Sequence, residues 1–412
     1  MLAIALALAA SVIASPTAQP AETTPPPLTL AQAVEQARVQ SPVRAGAAAL
    51  AEGAESAARL AGRLPNPLID VRAENLTPRD PLAPDRDVFA VLSQPIELGG
   101  KRGTRKELAS ADSGVSSLML RTIERQIALD TVRAYMRAIR ARGVLANLTT
   151  QRDGVNTLVT TMRRRVEEGY APESDLLRFA AEAARMAAEM TRTEIELSRA
   201  LFDLGSLVGA GTPLVASQLV APAPVAPPNV SPDTLDAAID KRPDLMLAAT
   251  RVERARLAAD LERLRRLPDP SISAGYKRTQ GQNTAVAGVV VAVPLFDHNG
   301  QARAVAEAGV RAATFEREAA HARAVAEVRS ATAAATALAE SLVRVRRDLL
   351  VPAEGVRNAA QAMFREGATD VLKLVDAERI YADVRREALS LAIDAYVAAI
   401  EARFAIAQED IP

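Results

Sequence analysis

Few side chains in this sequence stand at spacings that support chemistry. His298 and His321 are the whole imidazole complement and there is no cysteine, so thiol catalysis, disulfides and Cys/His metal cages drop out together. His298 lies in FDHNGQ (Phe296 to Gln301), where a lone loop histidine is a structural residue more readily than a ligand. Gly99-Gly100-Lys101 offers a turn and a cation to a phosphate, but the run is short and lacks P-loop spacing. No nucleophile with its base, no set of metal ligands and no phosphate loop emerges. The residues describe a chain that is not an enzyme and takes no cofactor and no metal.

Positioning elements must then carry the function. Of 412 residues, 50 are Lys or Arg and 50 are Asp or Glu, so no net field draws nucleic acid or an anionic surface, and no nucleic-acid partner is expected. Richness in Ala, Leu, Val, Arg and Glu is the composition of long helices in close contact. The opening MLAIALALAASVIASPTAQPAE has an apolar run followed by small residues, which predicts a secretory signal over 1–18. It lacks the usual preceding basic residue, and a buried N-terminal helix would also fit. No later apolar run approaches the roughly 18 residues of a membrane-spanning helix, so a membrane crossing would have to use strands.

The chain is written twice, at an offset near 200 residues. TLAQAV (from Thr29) meets TLDAAI (from Thr234), SPVRAGAA (from Ser41) meets RPDLMLAA (from Arg242), and LPNP (from Leu64) meets LPDP (from Leu267). AVLSQPIELGGKR (from Ala90) meets VVVAVPLFDHNGQAR (from Val289), and EEGYAPESDLLRFAAE (from Glu167) meets REGATDVLKLVDAE (from Arg365). The expected organisation is a first repeat over 19–210, a proline-rich linker over 211–232 and a second repeat over 233–412.

Within each copy the order is helix, proline break, strand, loop, strand, proline break, very long helix, glycine turn and returning helix. Ile69, Val71 and Ala73 alternate with Asp70, Arg72 and Glu74, a period of two that puts apolar and polar sets on opposite faces. Strands are predicted over about 68–76, 87–95, 270–278 and 285–294; the last is apolar on both faces and expects Gly288 and Ala292 on its inner side. A small sheet in a soluble domain fits the same pattern. Helical spacing from Gly103 to Glu168 contains no proline, predicting a rod of roughly 100 Å, and its counterpart from Gln301 is interrupted at Pro352. Four strands cannot close a membrane barrel, whereas two or three copies supply eight or twelve, and only about twelve leave room for a wet lumen.

LPNPLI, SQPIELGGKR, RPDL and VPLFDHNGQAR, set in this duplicated plan, resemble the TolC-type outer-membrane efflux duct family, particularly its heavy-metal branch. The resemblance implies a mainly α fold with a small β part: a homotrimer whose twelve strands form a β-barrel in outer-membrane lipid of a Gram-negative cell. An α-helical barrel continues it through the periplasm, and the duct works with a periplasmic adaptor and an inner-membrane resistance-nodulation-division pump. It further implies adaptor-docking tips at Gly169, Pro172 and Asp175 and at Gly367, Thr369 and Asp370, with Pro172 or Asp370 starting the returning helix; an ordinary helical turn uses the same residues. A pore aperture is implied at Lys373 and Asp376, where the family carries two carboxylates; with lysine in place of one, contacts between the pair, between or within chains, would latch the closed state at about 0.5–1 kcal/mol each if exposed, and a solvated helix face fits the same residues. The helix-to-strand junctions are then Pro65, Pro67, Pro95, Pro268, Pro270 and Pro294. Heavy-metal cations are the cargo the branch suggests, while a secreted coiled-coil structural or adhesive protein is the competing reading.

Overall fold

A computed structural model describes residues 26–76, 86–170, 172–229 and 238–411. The expected signal (1–18), the start of the second repeat at Thr234 and most of the loop Thr77 to Arg86 lie outside those residues. In chain order the elements are α1 (Leu30–Gln40), α2 (Pro42–Leu60), β1 (Leu68–Glu74), β2 (Asp87–Pro95), α3 (Lys101–Glu167) and α4 (Glu173–Val208). The second repeat supplies α5 (Pro243–Leu264), β3 (Ser271–Thr279), β4 (Gln282–Val290), α6 (Gly300–Val345), α7 (Val351–Arg365) and α8 (Val371–Ala405).

Local chemistry accounts for the helix ends. Thr29 and Gln32 form a reciprocal capping box at α1, the Gln32 N–H donating to Thr29 Oγ1 at 3.3 Å and the Thr29 N–H to Gln32 Oε1 at 2.9 Å. Pro42 and Pro243 open α2 and α5 in the first turn, where the missing N–H costs nothing. The helix α3 holds 67 residues and so spans about 100 Å. Between α6 and α7, residues Arg346–Leu350 form a single π turn in which the Val351 N–H reaches back to the Arg346 carbonyl. Pro352 explains it: with no N–H to give, it cannot continue the i to i−4 ladder, and the backbone widens by one residue instead of breaking.

Packing is densest in a belt halfway along the rods. Alanines on α3 (Ala128, Ala134, Ala138) let α1, α4 and α8 approach closely, bringing Leu204, Ile400 and Phe404 against Val132 and Tyr135. Tyr135 Oη lies 2.7 Å from the carbonyls of Leu28 and Val220, its single proton serving one at a time, and accepts the Val220 N–H at 2.8 Å. It thereby pins the Leu28 to Leu219 bridge, where the start of the described chain meets the linker, against the middle of α3.

The four strands make one antiparallel sheet in the order β1-β2-β3-β4, so the two hairpins join through β2 and β3. Two strand expectations need correction. The fourth strand runs 282–290, not 285–294, because Gln280 and Gly281 adopt φ 50° and 78° and turn the chain in two residues, extending the hairpin toward its tip. The first stops at Glu74 rather than 76, where Asn75 takes a left-handed φ of 56°. Gly275 has a geometric duty: a Cβ there would lie 2.4 Å from the Ala90 carbonyl oxygen, so only glycine lets β3 approach β2.

Candidate functional site

Register assigns every strand residue to a face. Ile69, Val71 and Ala73 align with Val88, Ala90 and Leu92, which align with Ala274 and Tyr276, which align in turn with Ala285 and Ala287, with Ile272 opposite Val289. This face is apolar through its middle, with Gln94 at one end and Arg278 opposite Asn283 at the other. The opposite face carries Asp70, Arg72, Glu74, Asp87, Ser93, Ser271, Ser273, Lys277 and Thr284, interspersed with apolar Leu68, Phe89, Val91, Val286 and Val290. Gly288 lies on this second face, with Ser273 donating to its carbonyl at 3.1 Å, whereas Ala292 falls beyond the strand. On the polar face Arg72 pairs with Asp70 at 3.0 Å, and Arg72 and Lys277 flank the Phe89 ring at 5.9 and 4.9 Å from its centroid. Among the described residues neither β1 nor β4 has a second neighbour, so both outer edges of this two-faced sheet are open there.

The proline junctions sit where helices give way to strands. Pro65 and Pro67 separate α2 from β1, Pro268 and Pro270 separate α5 from β3, and Pro95 is the last residue of β2. Each lacks a donor and biases its predecessor toward extended geometry. Pro294 departs from the expectation: β4 has already ended at Val290, so this proline lies in an irregular segment leading to α6. Between the repeats the junction is clamped. Lys101 Nζ donates to Asp269 Oδ1 at 2.8 Å and to the Leu267 carbonyl, the Leu98 N–H donates to Asp269 at 2.9 Å, and the Ile96 N–H donates to the Pro270 carbonyl at 2.8 Å. Burial pushes the Asp269 carboxyl up, but the Lys101 ammonium and the Leu98 N–H outweigh it and hold the group below the usual carboxylate value.

At the far end of the rods the two repeats turn back identically. Gly169 and Gly367 adopt φ 78° and 73°, and the next residue closes the turn, Tyr170 donating to the Arg165 carbonyl and Ala368 to the Met363 carbonyl, both at 2.8 Å. Pro172 and Asp370 are the N-cap residues of α4 and α8, yet the Asp370 carboxylate makes no capping hydrogen bond; extended backbone alone starts the helix. Thr369 is half-buried just before it, and Asp175 lies in the first turn of α4. The structure brings the two tips together: Asp175, Asp370 and Asp376 line one cleft of about 230 Å³ with Arg178, Glu182 and Arg379. An Arg185 hydrogen bond holds Glu182 below its ordinary value, against the upward push of burial. Lys373 and Asp376 are both exposed and form no ion pair with each other within the chain, so a latch inside one chain is not what this geometry shows.

Sequence reasoning missed two features. A cleft of about 280 Å³ runs between α3, α4, α7 and α8, lined by Asn147, Met186 and Leu374 and closed on one side by Arg357 stacked 4.0 Å over Tyr381. Near the belt, Arg242 of RPDL is buried and holds Asp244 at 2.9 and 3.0 Å and Glu327 at 2.7 Å, while Arg125 donates to the Phe404 carbonyl at 2.7 Å. Both guanidiniums meet the C-terminal end of α8, which favours cations. The motif RPDL signalled this cluster; its partners on α3 and α6 were invisible because they come from distant sequence.

Comparison with known proteins places these features. A family model described as outer membrane efflux protein matches residues 234–407. The nickel and cobalt resistance protein CnrC of Cupriavidus metallidurans is 32% identical over 272 residues, 65% of this chain and 63% of that protein. The match thus spans less than two thirds of the length of CnrC. The cobalt-zinc-cadmium resistance protein CzcC of the same organism is 25% identical over 378 residues, 90% of this chain and 88% of CzcC. The crystal structure of the outer membrane protein VceC of Vibrio cholerae shares the fold with a TM-score of 0.74 at 18% identity, covering 92% of this chain and 95% of VceC.

Proposed function

We propose that the chain is a member of the outer-membrane efflux protein family, whose model matches residues 234–407, and that it is the outer-membrane channel of a tripartite efflux system, a passive exit duct for heavy-metal cations. The observation that carries the reading is the sheet: four strands, one face apolar through its middle, the other carrying most of the charged and hydroxyl side chains, both edges open among the described residues, mounted on helical rods of about 100 Å. An open edge in hydrocarbon leaves backbone groups unpaired, so the sheet must close with other copies. Three chains give twelve strands, enough for an aqueous lumen lined by the Asp70, Arg72 and Lys277 face, with Ile69, Val71 and Leu92 toward lipid. Strands of seven to nine residues suit a bacterial outer membrane, which is thinner than average.

The rods would cross the periplasm as a helical barrel. A periplasmic adaptor would dock at the Gly169 and Gly367 turns, and an inner-membrane resistance-nodulation-division pump would deliver cargo through it. Metal cargo is supported by the relatives, whose names are those of nickel, cobalt, zinc and cadmium resistance proteins. Expression in a strain lacking its own duct but holding a metal pump and adaptor tests the proposal. Restored growth in nickel, cobalt, zinc or cadmium, together with single-channel conductance of the detergent-extracted protein, is the expected outcome. A protein soluble without detergent and silent in bilayers refutes it.

A further inference from the structure

The duplication is complete inside one chain on only one side. Segment LPDP (267–270) of the second repeat grips the strand-to-helix connection of the first through the Ile96, Leu98 and Lys101 bonds, and Leu267 rests on Gly99. The equivalent parts of the reciprocal clamp also exist but do not meet. LPNP (64–67) of the first repeat leaves Leu64 62% exposed, and the connection PLFDHNG of the second leaves Leu295 71% and Phe296 98% exposed. The flanking helices agree. The helix α5, wedged between α3 and α6, buries six residues, among them Leu247 and Val252, whereas its repeat mate α2 buries none.

We propose that LPNP of one chain clamps residues 294–300 of a second copy of this chain, reproducing between chains the grip that LPDP makes within one. This rests on the channel reading above, in which copies close into a ring. Register between the repeats is fixed by structure: Gly100 and Asn299 are the left-handed N-caps of α3 and α6, at φ 81° and 62°. Hence Gly300 stands where Lys101 does, Asp297 where Leu98 does, and Asn66 where Asp269 does. The intrachain clamp holds an ion pair whose lysine side chain is 7% exposed; in the free half both partners are neutral, lysine becoming glycine and aspartate asparagine. A change of one partner alone would leave a desolvated charge unpaired, so their joint replacement is what a direct contact requires. The match is not perfect in detail, because His298 replaces the left-handed Gly99, and Leu64 must therefore seat against an imidazole rather than a bare backbone.

The test uses the full chain extracted from membranes. Asn66→Asp and Gly300→Lys are made singly and together; a Cβ at Gly300 meets nothing within 4 Å, so the lysine fits. Each single variant is expected to lose its SDS-resistant trimer at a temperature where the wild type keeps it, and the double variant to regain it by forming the ion pair between chains. In parallel, Asn66→Cys with Asp297→Cys, in a chain that has no other cysteine, is expected to give covalent dimers and trimers on non-reducing gels. Wild-type trimers by native mass spectrometry, with additive charge variants and no link between chains, overturn the clamp. A wild type that is monomeric by native mass overturns the channel reading itself.

Discussion

Gly367 separates a role in docking from a role in folding, and the structure sets the size of each effect. Its φ of 73° lies in the region where a residue with a Cβ costs about 1–2 kcal/mol, and a Cβ built there meets no atom within 4 Å. Substitution therefore carries backbone strain with no clash, a small fraction of the 5–15 kcal/mol typical of a folded domain. Asparagine tolerates this conformation, alanine pays the strain without bulk, and phenylalanine adds bulk that projects into solvent at the tip. Gly367→Asn is expected to retain metal resistance, Gly367→Ala to retain most of it, and Gly367→Phe to lose it, with all three still recovered as trimers from the outer membrane. Growth on metal-containing medium and native mass of the extracted protein read the two quantities separately. Full resistance in Gly367→Phe, or equal loss in Gly367→Ala and Gly367→Phe, refutes docking at this turn.

Two further outcomes follow from buried charge. Arg242→Met strips Asp244 and Glu327, which stay 35% and 49% exposed, of their close partner and leaves them to Arg125 at 3.6 and 4.0 Å, so denaturant or thermal unfolding should show a loss of about 1.5–3 kcal/mol, with conductance per assembled channel unchanged; a loss below about 0.5 kcal/mol would show that the cluster is solvated. The second concerns Asp269, whose folded pKa is depressed: its contribution is complete above the unfolded value of about 3.9 and disappears as pH falls through the folded one. Wild type and Asp269→Asn should therefore differ in melting temperature at pH 6–7 and converge as the pH falls below the usual carboxylate range; a constant difference across that range would remove the Lys101 ion pair as its cause.

Much of this architecture is legible in the chain because its signals are local. Alternation of Ile69, Val71 and Ala73 with charged residues needs no partner to be read, and the Leu-Pro-Asx-Pro breaks and the glycines at 169 and 367 act through their own backbone. The miss at β4 was also local: Gly281 in TQGQNT was a two-residue hairpin turn, but Gln before it is an unusual occupant of a left-handed position, and the polar run looked like a loop. What could not be read are contacts that join distant sequence. Lys101 to Asp269 and Arg242 to Glu327 each connect separate elements, and nothing in either neighbourhood names the other. Asp370 shows the opposite limit: the residue type suits a cap, yet its carboxylate faces a cleft shared with Asp175, a consequence of where two tips converge.

If the chain forms the proposed duct, the distribution of burial along the rods decides which part of it opens most easily. In the belt, Val132, Tyr135, Leu204, Ile400 and Phe404 belong to one cluster fed by four helices and stapled to the chain's start and linker by Tyr135. Toward the tip, the cluster that ties the two hairpins together contains only Met162, Phe179 and Val371 as buried members. At roughly 1.5–3 kcal/mol for each large apolar side chain, that contact is worth about 5–9 kcal/mol, several-fold less than the belt. Regions with few buried apolar contacts open first, so separation of the α7–α8 hairpin from α3–α4 is the low-cost motion, while the belt keeps the rods in register. The clefts beside that contact fit the same inference, because they are lined by Glu182, Arg357, Arg379 and Asp376, groups that water solvates readily once the hairpins part. On the proposed channel reading, a strong core at the tip would hold the end shut, whereas a weak one beside a strong belt would let a partner spread the end without dismantling the rods.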